Sequence, residues 1–113
     1  MHELSVCQAL LTQVAQIARQ QGSDAVACIT IRVGPLSGVE PEQLRRAFTA
    51  MRVGPAAAAD LVIETADVVV RCLACASEST TRVNRLVCAA CGGFRTRVIA
   101  GDELQLRRVE LRV

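Results

Sequence analysis

The apolar residues of the chain recur with two periods, and each marks out a different kind of element. Between residues 3 and 21, Leu4, Cys7, Leu10, Leu11, Val14, Ile17 and Ala18 follow one another in the short steps of one helix face. Gln8, Gln13, Gln16, Arg19 and Gln20 fall mainly outside that stripe. Glu3 suits the positive N-terminal end of the helix dipole, and Gly22 supplies a stop. Residues 25–33 alternate instead. Ala27, Ile29, Ile31 and Val33 take one face and Cys28, Thr30 and Arg32 the other, which predicts a strand with one buried face. Residues 41–53 return to helical spacing with Leu44, Ala47, Phe48 and Met51, opened by Pro41 and closed by Gly54-Pro55. A connector over 55–60 leads to Leu61–Thr65 and Val68–Arg71, which read as strands split by Ala66-Asp67. A last strand follows the Gly101-Asp102 turn. Its alternation runs through Leu104 and Leu106, then shifts phase at Arg107-Arg108 to Val109, Leu111 and Val113, as a bulge or bend requires.

Residues 72–97 follow neither period. From Arg71 to Arg97 there are five Arg and one acid, Glu78, a balance of +4; residues 1–70 hold five Arg and seven acids, a balance of −2. The expected fold is therefore α+β. Two helices pack on a small three-stranded mixed sheet built from 25–33, 61–71 and 103–113, and a zinc-ribbon module is inserted before the last strand. The expected domains are 1–70 plus 98–113, and 71–97. The last strand is expected to pair with the 25–33 strand or its neighbour, because its apolar face has no other sheet to join.

Composition narrows the function. The 113 residues are 51% hydrophobic, enough to bury a core and too apolar for disorder. The only aromatics are Phe48 and Phe94, which speaks against single-strand binders built on aromatic stacking. A net charge of +2 is too small to argue for nucleic acid or a membrane. All 13 basic residues are Arg, so there is no Walker A loop, no Schiff-base chemistry and no Lys general base. A Ser–His–Asp triad would need His2, the one histidine, as its base. These absences point to a binding protein rather than an enzyme. No basic n-region opens the chain, and no run approaches the roughly 20 apolar residues that span a bilayer. The expected compartment is the cytoplasm, with no membrane association.

Six cysteines remain, and four have metal-ligand spacing: Cys72-x2-Cys75-x12-Cys88-x2-Cys91. Each pair can present two thiolates from one tight turn, and two turns complete a tetrahedron at about 2.3 Å per Zn–S bond. A segment with so little apolar mass cannot build its own core, so metal binding and folding are coupled. Four protein thiolates close the coordination sphere, which makes the expected Zn²⁺ structural rather than catalytic. Geometry alone does not separate zinc from the iron of a rubredoxin-like site. Cys7 and Cys28 lack such spacing and are read as small buried hydrophobes.

The N-terminus offers a second, weaker signal. The Met1 amine, the His2 imidazole and deprotonated backbone amides at His2 and Glu3 form a planar, nitrogen-rich set that suits Ni(II) or Cu(II). The competing reading is a solvated, frayed terminus.

Together these features resemble the HypA/HybF hydrogenase maturation nickel metallochaperones. The resemblance covers nearly the whole chain. It rests on the opening MHELSVCQALL, the segment Val33–Phe48 (VGPLSGVEPEQLRRAF), the cysteine quartet and the closing Gly101–Leu111 (GDELQLRRVEL). It implies that His2 is the nickel ligand, with the Met1 amine and the Glu3 backbone beside it. It implies structural zinc on Cys72, Cys75, Cys88 and Cys91, and it matches Glu40 to a carboxylate near nickel in some relatives. The sequence departs from the family at Gly34-Pro35-Leu36-Ser37, where relatives commonly carry Gly-Glu-Leu-Ser. The implied function is to carry Ni²⁺ as cargo to the [NiFe]-hydrogenase large-subunit precursor, with a nickel-handling GTPase as partner. A homodimer and a part in urease maturation stay open. The alternatives are a zinc-ribbon regulatory or nucleic-acid-binding module and a rubredoxin-like electron carrier.

Overall fold

The computed structural model describes residues 2–112; Met1, Val113 and the side chain of His2 lie outside the described residues. The elements run α1 (His2–Gln20), β1 (Val26–Val33), α2 (Pro41–Met51), a 3-10 turn (Gly54–Ala56), β2 (Asp60–Thr65), β3 (Val68–Cys72), β4 (Glu78–Thr81), β5 (Thr96–Ala100) and β6 (Leu104–Leu111). They form two compact units, one of Met1–Arg32, Val39–Glu64 and Gln105–Val113, the other of Val33–Gly38 and Thr65–Leu104.

The first unit carries a sheet in the order β2–β1–β6. The Arg112 N–H donates to Ala25 O at 3.0 Å, and the Gly34 N–H to Glu103 O at 2.8 Å. The start of β6 therefore meets the end of β1, and the two strands are antiparallel. Ala66 N–H donates to Val33 O at 3.2 Å, and Arg32 Nη2 lies 3.8 Å from Glu64 Oε1. The ends of β1 and β2 thus lie side by side, the strands run parallel, and α2 is the crossover between them. The sheet is mixed, and the last strand joins β1, as its apolar face required.

Cys7, Leu10, Val14 and Ala18 of α1 are buried, as are Leu44, Ala47 and Phe48 of α2 and Ile29 and Ile31 of β1. Each large apolar side chain so enclosed contributes roughly 1.5–3 kcal/mol. Two details depart from the periodic reading. Leu4 is exposed, and its place on the buried stripe is taken by Glu3, 8% exposed. In β1, Val26 is buried and Ala27 only partly so, so alternation breaks near the start of the strand. At the entry to α2, Pro41 takes the first turn and Glu40 is the N-cap. Arg45 Nη1 and Arg52 Nη1 donate to Leu61 O and Ala59 O, each at 2.9 Å, and tie α2 to the approach of β2.

The second unit has its own sheet, ordered β4–β3–β5, with β3 antiparallel to both neighbours. The expected single sheet is corrected here. Residues 61–71 do not act as one sheet component: β2 joins β1, whereas β3 becomes the centre of the second sheet. Val68 and Val70 are buried there, so the two apolar runs on either side of Ala66-Asp67 serve different cores. The boundaries expected at 70/71 and 97/98 fall inside β3 and β5. Residues 33–38 also belong to this unit through Leu36 N–H to Gly101 O at 2.7 Å. A Cβ on Gly34 would sit 2.2 Å from Gly101 O, and one on Gly101 would sit 2.8 Å from Val68 Cα. Three backbones stack here with no room for a side chain between them.

Candidate metal centre

Cys72 ends β3, Cys75 closes the following turn, and Cys88 and Cys91 lie on a second turn before β5. The four Sγ atoms lie within 4.8 Å of one another, with Cys72 to Cys91 and Cys75 to Cys88 each at 3.6 Å. All six cysteines are free thiols. A tetrahedron with bonds of about 2.3 Å has edges of about 3.8 Å, so the cluster has the size and donor chemistry of a Zn–S4 site. Cys72 and Cys88 are buried and Cys75 and Cys91 exposed, which makes each turn contribute one inner and one outer ligand.

The two turns repeat one backbone pattern. Cys72 N–H donates to Ser77 O and Ala76 N–H to Cys72 O; Cys88 N–H donates to Gly93 O and Gly92 N–H to Cys88 O. Amides point at the inner sulfurs: Ala74 and Cys75 N–H reach Cys72 Sγ at 3.4 and 3.5 Å, and Cys91 N–H reaches Cys88 Sγ at 3.4 Å. Such donors stabilise thiolate charge. The fourth residue after each inner cysteine adopts positive φ, Gly92 at 72° and Ala76 at 66°. Gly92 meets that demand without penalty, whereas Ala76 accepts it with a Cβ in place. Hydrogen bonds from the Ser77 hydroxyl and backbone draw the Cys75 thiol down to about 6.

Two supporting residues carry no metal-ligand signature. Ser79 on β4 is buried, and its Oγ accepts the Ala89 N–H at 2.9 Å, fastening the second turn to the sheet. Thr96 Oγ1 donates to Leu86 O at 2.8 Å. The polar run Glu78–Thr81 has no apolar alternation to reveal a strand. Ser79 stands four residues beyond Cys75, and its burial appears only in the fold.

The second candidate group divides. Met1 and the His2 side chain lie outside the described residues. Glu3 and Glu40 come together: Glu3 Oε2 accepts the Glu40 backbone N–H at 3.2 Å. The Glu40 carboxylate caps its own helix, with Oε1 accepting Glu42 N–H at 3.3 Å and Oε2 accepting Gln43 N–H at 2.8 Å. Cys7 is buried in the first unit and burial raises its thiol; Cys28 is half-buried on β1.

Residues 1–111 match a family model described as hydrogenase/urease nickel incorporation, metallochaperone, HypA. A hydrogenase maturation factor HypA of Nitrosospira multiformis is 45% identical over 112 residues, 98% of this chain and 97% of its own. One of Aquifex aeolicus is 35% identical over 114 residues, 100% of this chain and 99% of its own. Among solved structures, a solution structure of a HypA protein superposes with a TM-score of 0.76 at 22% identity, covering 99% of this chain and 97% of the other. The Ni metallochaperone HypA of Helicobacter pylori gives 0.71 at 20% identity, covering 96% of each chain. At those identities the two structures establish a shared fold.

Proposed function

The chain belongs to the HypA family of hydrogenase and urease nickel-incorporation metallochaperones, and on that premise we propose that it binds Ni(II) at its N-terminus. It passes the ion to the hydrogenase large-subunit precursor, with a nickel-handling GTPase as partner, and catalyses no reaction itself. The observation that carries this reading is the Glu3–Glu40 hydrogen bond, which gathers the start of α1 and the entry of α2 at one place. The ligand set is the Met1 amine, the His2 imidazole and the backbone nitrogens of His2 and Glu3. Amides at a helix start have no intrahelical acceptor, so their use as ligands breaks no helix hydrogen bond. Glu40 is a secondary ligand at most, because both of its oxygens already accept backbone N–H groups.

The cysteine cluster supports the same division of labour. Zinc on Cys72, Cys75, Cys88 and Cys91 leaves no open coordination position, so cargo has to be held elsewhere. A terminal site can be reached by a second protein's ligands, which suits transfer by ligand exchange. Cytoplasmic residence keeps the thiols reduced.

The test is nickel titration of the wild type, His2→Ala and a form extended before Met1, at pH 7.5 and near pH 6. His2→Ala loses tight nickel binding and hydrogenase maturation while keeping zinc and helix content. The extended form is impaired too, because the amine is moved from the imidazole. Affinity falls at the lower pH, because protons compete with nickel for the amine and the imidazole. Unchanged nickel affinity in His2→Ala overturns the assignment.

A further inference from the structure

The β4–β3–β5 sheet has one buried and one open face. Val68, Val70 and Cys72 of β3 are buried, and Arg71 between the last two is exposed. By the register, Glu78, Arg71 and Arg97 stand directly opposite one another on β4, β3 and β5, so all three share the open face. Leu73 N–H donates to Arg95 O at 2.9 Å, which carries the ladder one step past the strands and sets Leu73 opposite Arg95. Exposure alternates along β5, and Arg95, Arg97 and Ile99 form its outer row. Leu73 is 66% exposed and Ile99 38%.

The charges of this face are unbalanced. Arg71 Nη2 donates to Glu78 Oε2 at 2.7 Å, so Glu78 is engaged. The exposed guanidinium groups of Arg95 and Arg97 have no acidic partner among the described residues. Arg97 also stands directly opposite Arg71, and like charges in that position cost stability. A face that meets only water gains nothing from this arrangement. A carboxylate supplied from outside beside Arg97 turns two adjacent cations into an alternation of charge. Apolar surface brackets the arginines at Leu73 and Ile99, and Phe94, 82% exposed, adjoins Arg95. Arginine and aromatic side chains are the types enriched in protein interfaces.

We infer that the open face of the β4–β3–β5 sheet docks an extended acidic segment of a partner polypeptide, with carboxylates on Arg95 and Arg97. Alternate residues of an extended segment lie about 7 Å apart, as do alternate residues of the Arg95–Arg97 row, so two neighbouring acids meet the two unpaired guanidinium groups. Aliphatic side chains that flank the acids cover Leu73 and Ile99. Nucleic acid fits worse. Three arginines against Glu78 leave an excess of only +2, and the aliphatic ends of the face offer nothing to a row of phosphates. The face lies wholly within the second unit. It goes beyond nickel carriage, since it requires the folded cysteine unit and not the N-terminal ligands.

The test uses the full zinc-loaded chain and ¹⁵N spectra of the arginine Nε–H groups. The probe is the blocked heptapeptide Leu-Thr-Glu-Thr-Glu-Thr-Leu, with its Gln-for-Glu and Ala-for-Leu forms and a single-stranded hexanucleotide as comparators. Expected is a saturable shift of the Arg95 and Arg97 Nε–H signals with the acidic peptide, weakening with salt. The Gln-for-Glu exchange and Arg97→Gln each lower affinity on the order of tenfold, and the Ala-for-Leu exchange lowers it less. Free Arg97→Gln melts no lower than the wild type, because the like-charge pair with Arg71 is gone. Arg107→Gln, on the other unit, leaves affinity unchanged. Equal saturation by the hexanucleotide overturns the polypeptide assignment. Unmoved Arg95 and Arg97 signals, wild-type affinity in Arg97→Gln, or a lowered melting temperature in that variant overturns the site.

Discussion

The Glu3 carboxylate, buried on the inner side of α1, accepts the backbone N–H of Glu40 at 3.2 Å, one residue before α2 begins. A buried carboxylate needs such a donor, and a charge-assisted bond to a backbone amide is among the stronger kinds. Thirty-six residues separate the two in the chain, yet the contact sets where the second helix starts relative to the first.

Glu3→Ala is expected to destabilise the first unit by about 1–3 kcal/mol, because it removes a buried acceptor and leaves the Glu40 N–H short of one. Glu3→Gln keeps the shape and an acceptor, and loses less. Urea denaturation followed by helical circular dichroism checks the order. Equal stability of all three forms would show that the bond contributes nothing.

Removing the metal with a chelator, or Cys72→Ser, is expected to collapse amide dispersion for residues 65–104 while signals from α1 and α2 persist, because thiolate–metal bonds anchor both knuckle turns. Zinc occupancy falls as pH falls, since each ligand thiol binds a proton when the metal leaves. Against a fixed competing chelator, an apparent zinc affinity that is flat from pH 8 to pH 5 would contradict a four-thiolate site.

The two knuckles make a reciprocal pair of substitutions informative. Gly92→Ala places a Cβ at φ 72° and is expected to cost about 1–2 kcal/mol. Ala76→Gly relieves the same conformation at φ 66°, so it is expected to be neutral or stabilising despite glycine's entropy. Thermal melts and zinc competition with a coloured chelator measure both. A large loss in Ala76→Gly would mean that the methyl packs in a way that outweighs the strain.

Gly34→Ala should be among the most damaging single changes, about 3 kcal/mol or more, because its Cβ would meet backbone rather than a movable side chain. Poor expression, or a large drop in melting temperature, is the expected readout. A variant that melts like the wild type would show that the 33–38 strap can move aside.

What the sequence determined by itself was whatever depends on neighbours in the chain. The stripe Cys7–Leu10–Val14–Ala18, the Pro41 start of α2 and the cysteine spacing are local, since one helix face, one cap or one tight turn suffices to express them. The resemblance to nickel metallochaperones was legible for the same reason, in MHE and the cysteine quartet. Tertiary structure decided the rest. Leu61–Thr65 and Val68–Arg71 read as two strands of one sheet, but alternation states that a strand has a buried face and not which sheet buries it. Glu78–Thr81 became a strand because β3 offered an edge and the second knuckle needed the Ser79 hydroxyl, neither of which a polar tetrapeptide announces. Glu3 read as a dipole partner at a helix start; its burial and its bond to Glu40 exist only once α1 and α2 are packed. Gly34 follows the 25–33 strand and Gly101 read as a turn far along the chain, and only the folded chain lays one backbone against the other, where van der Waals contact leaves no space for a Cβ.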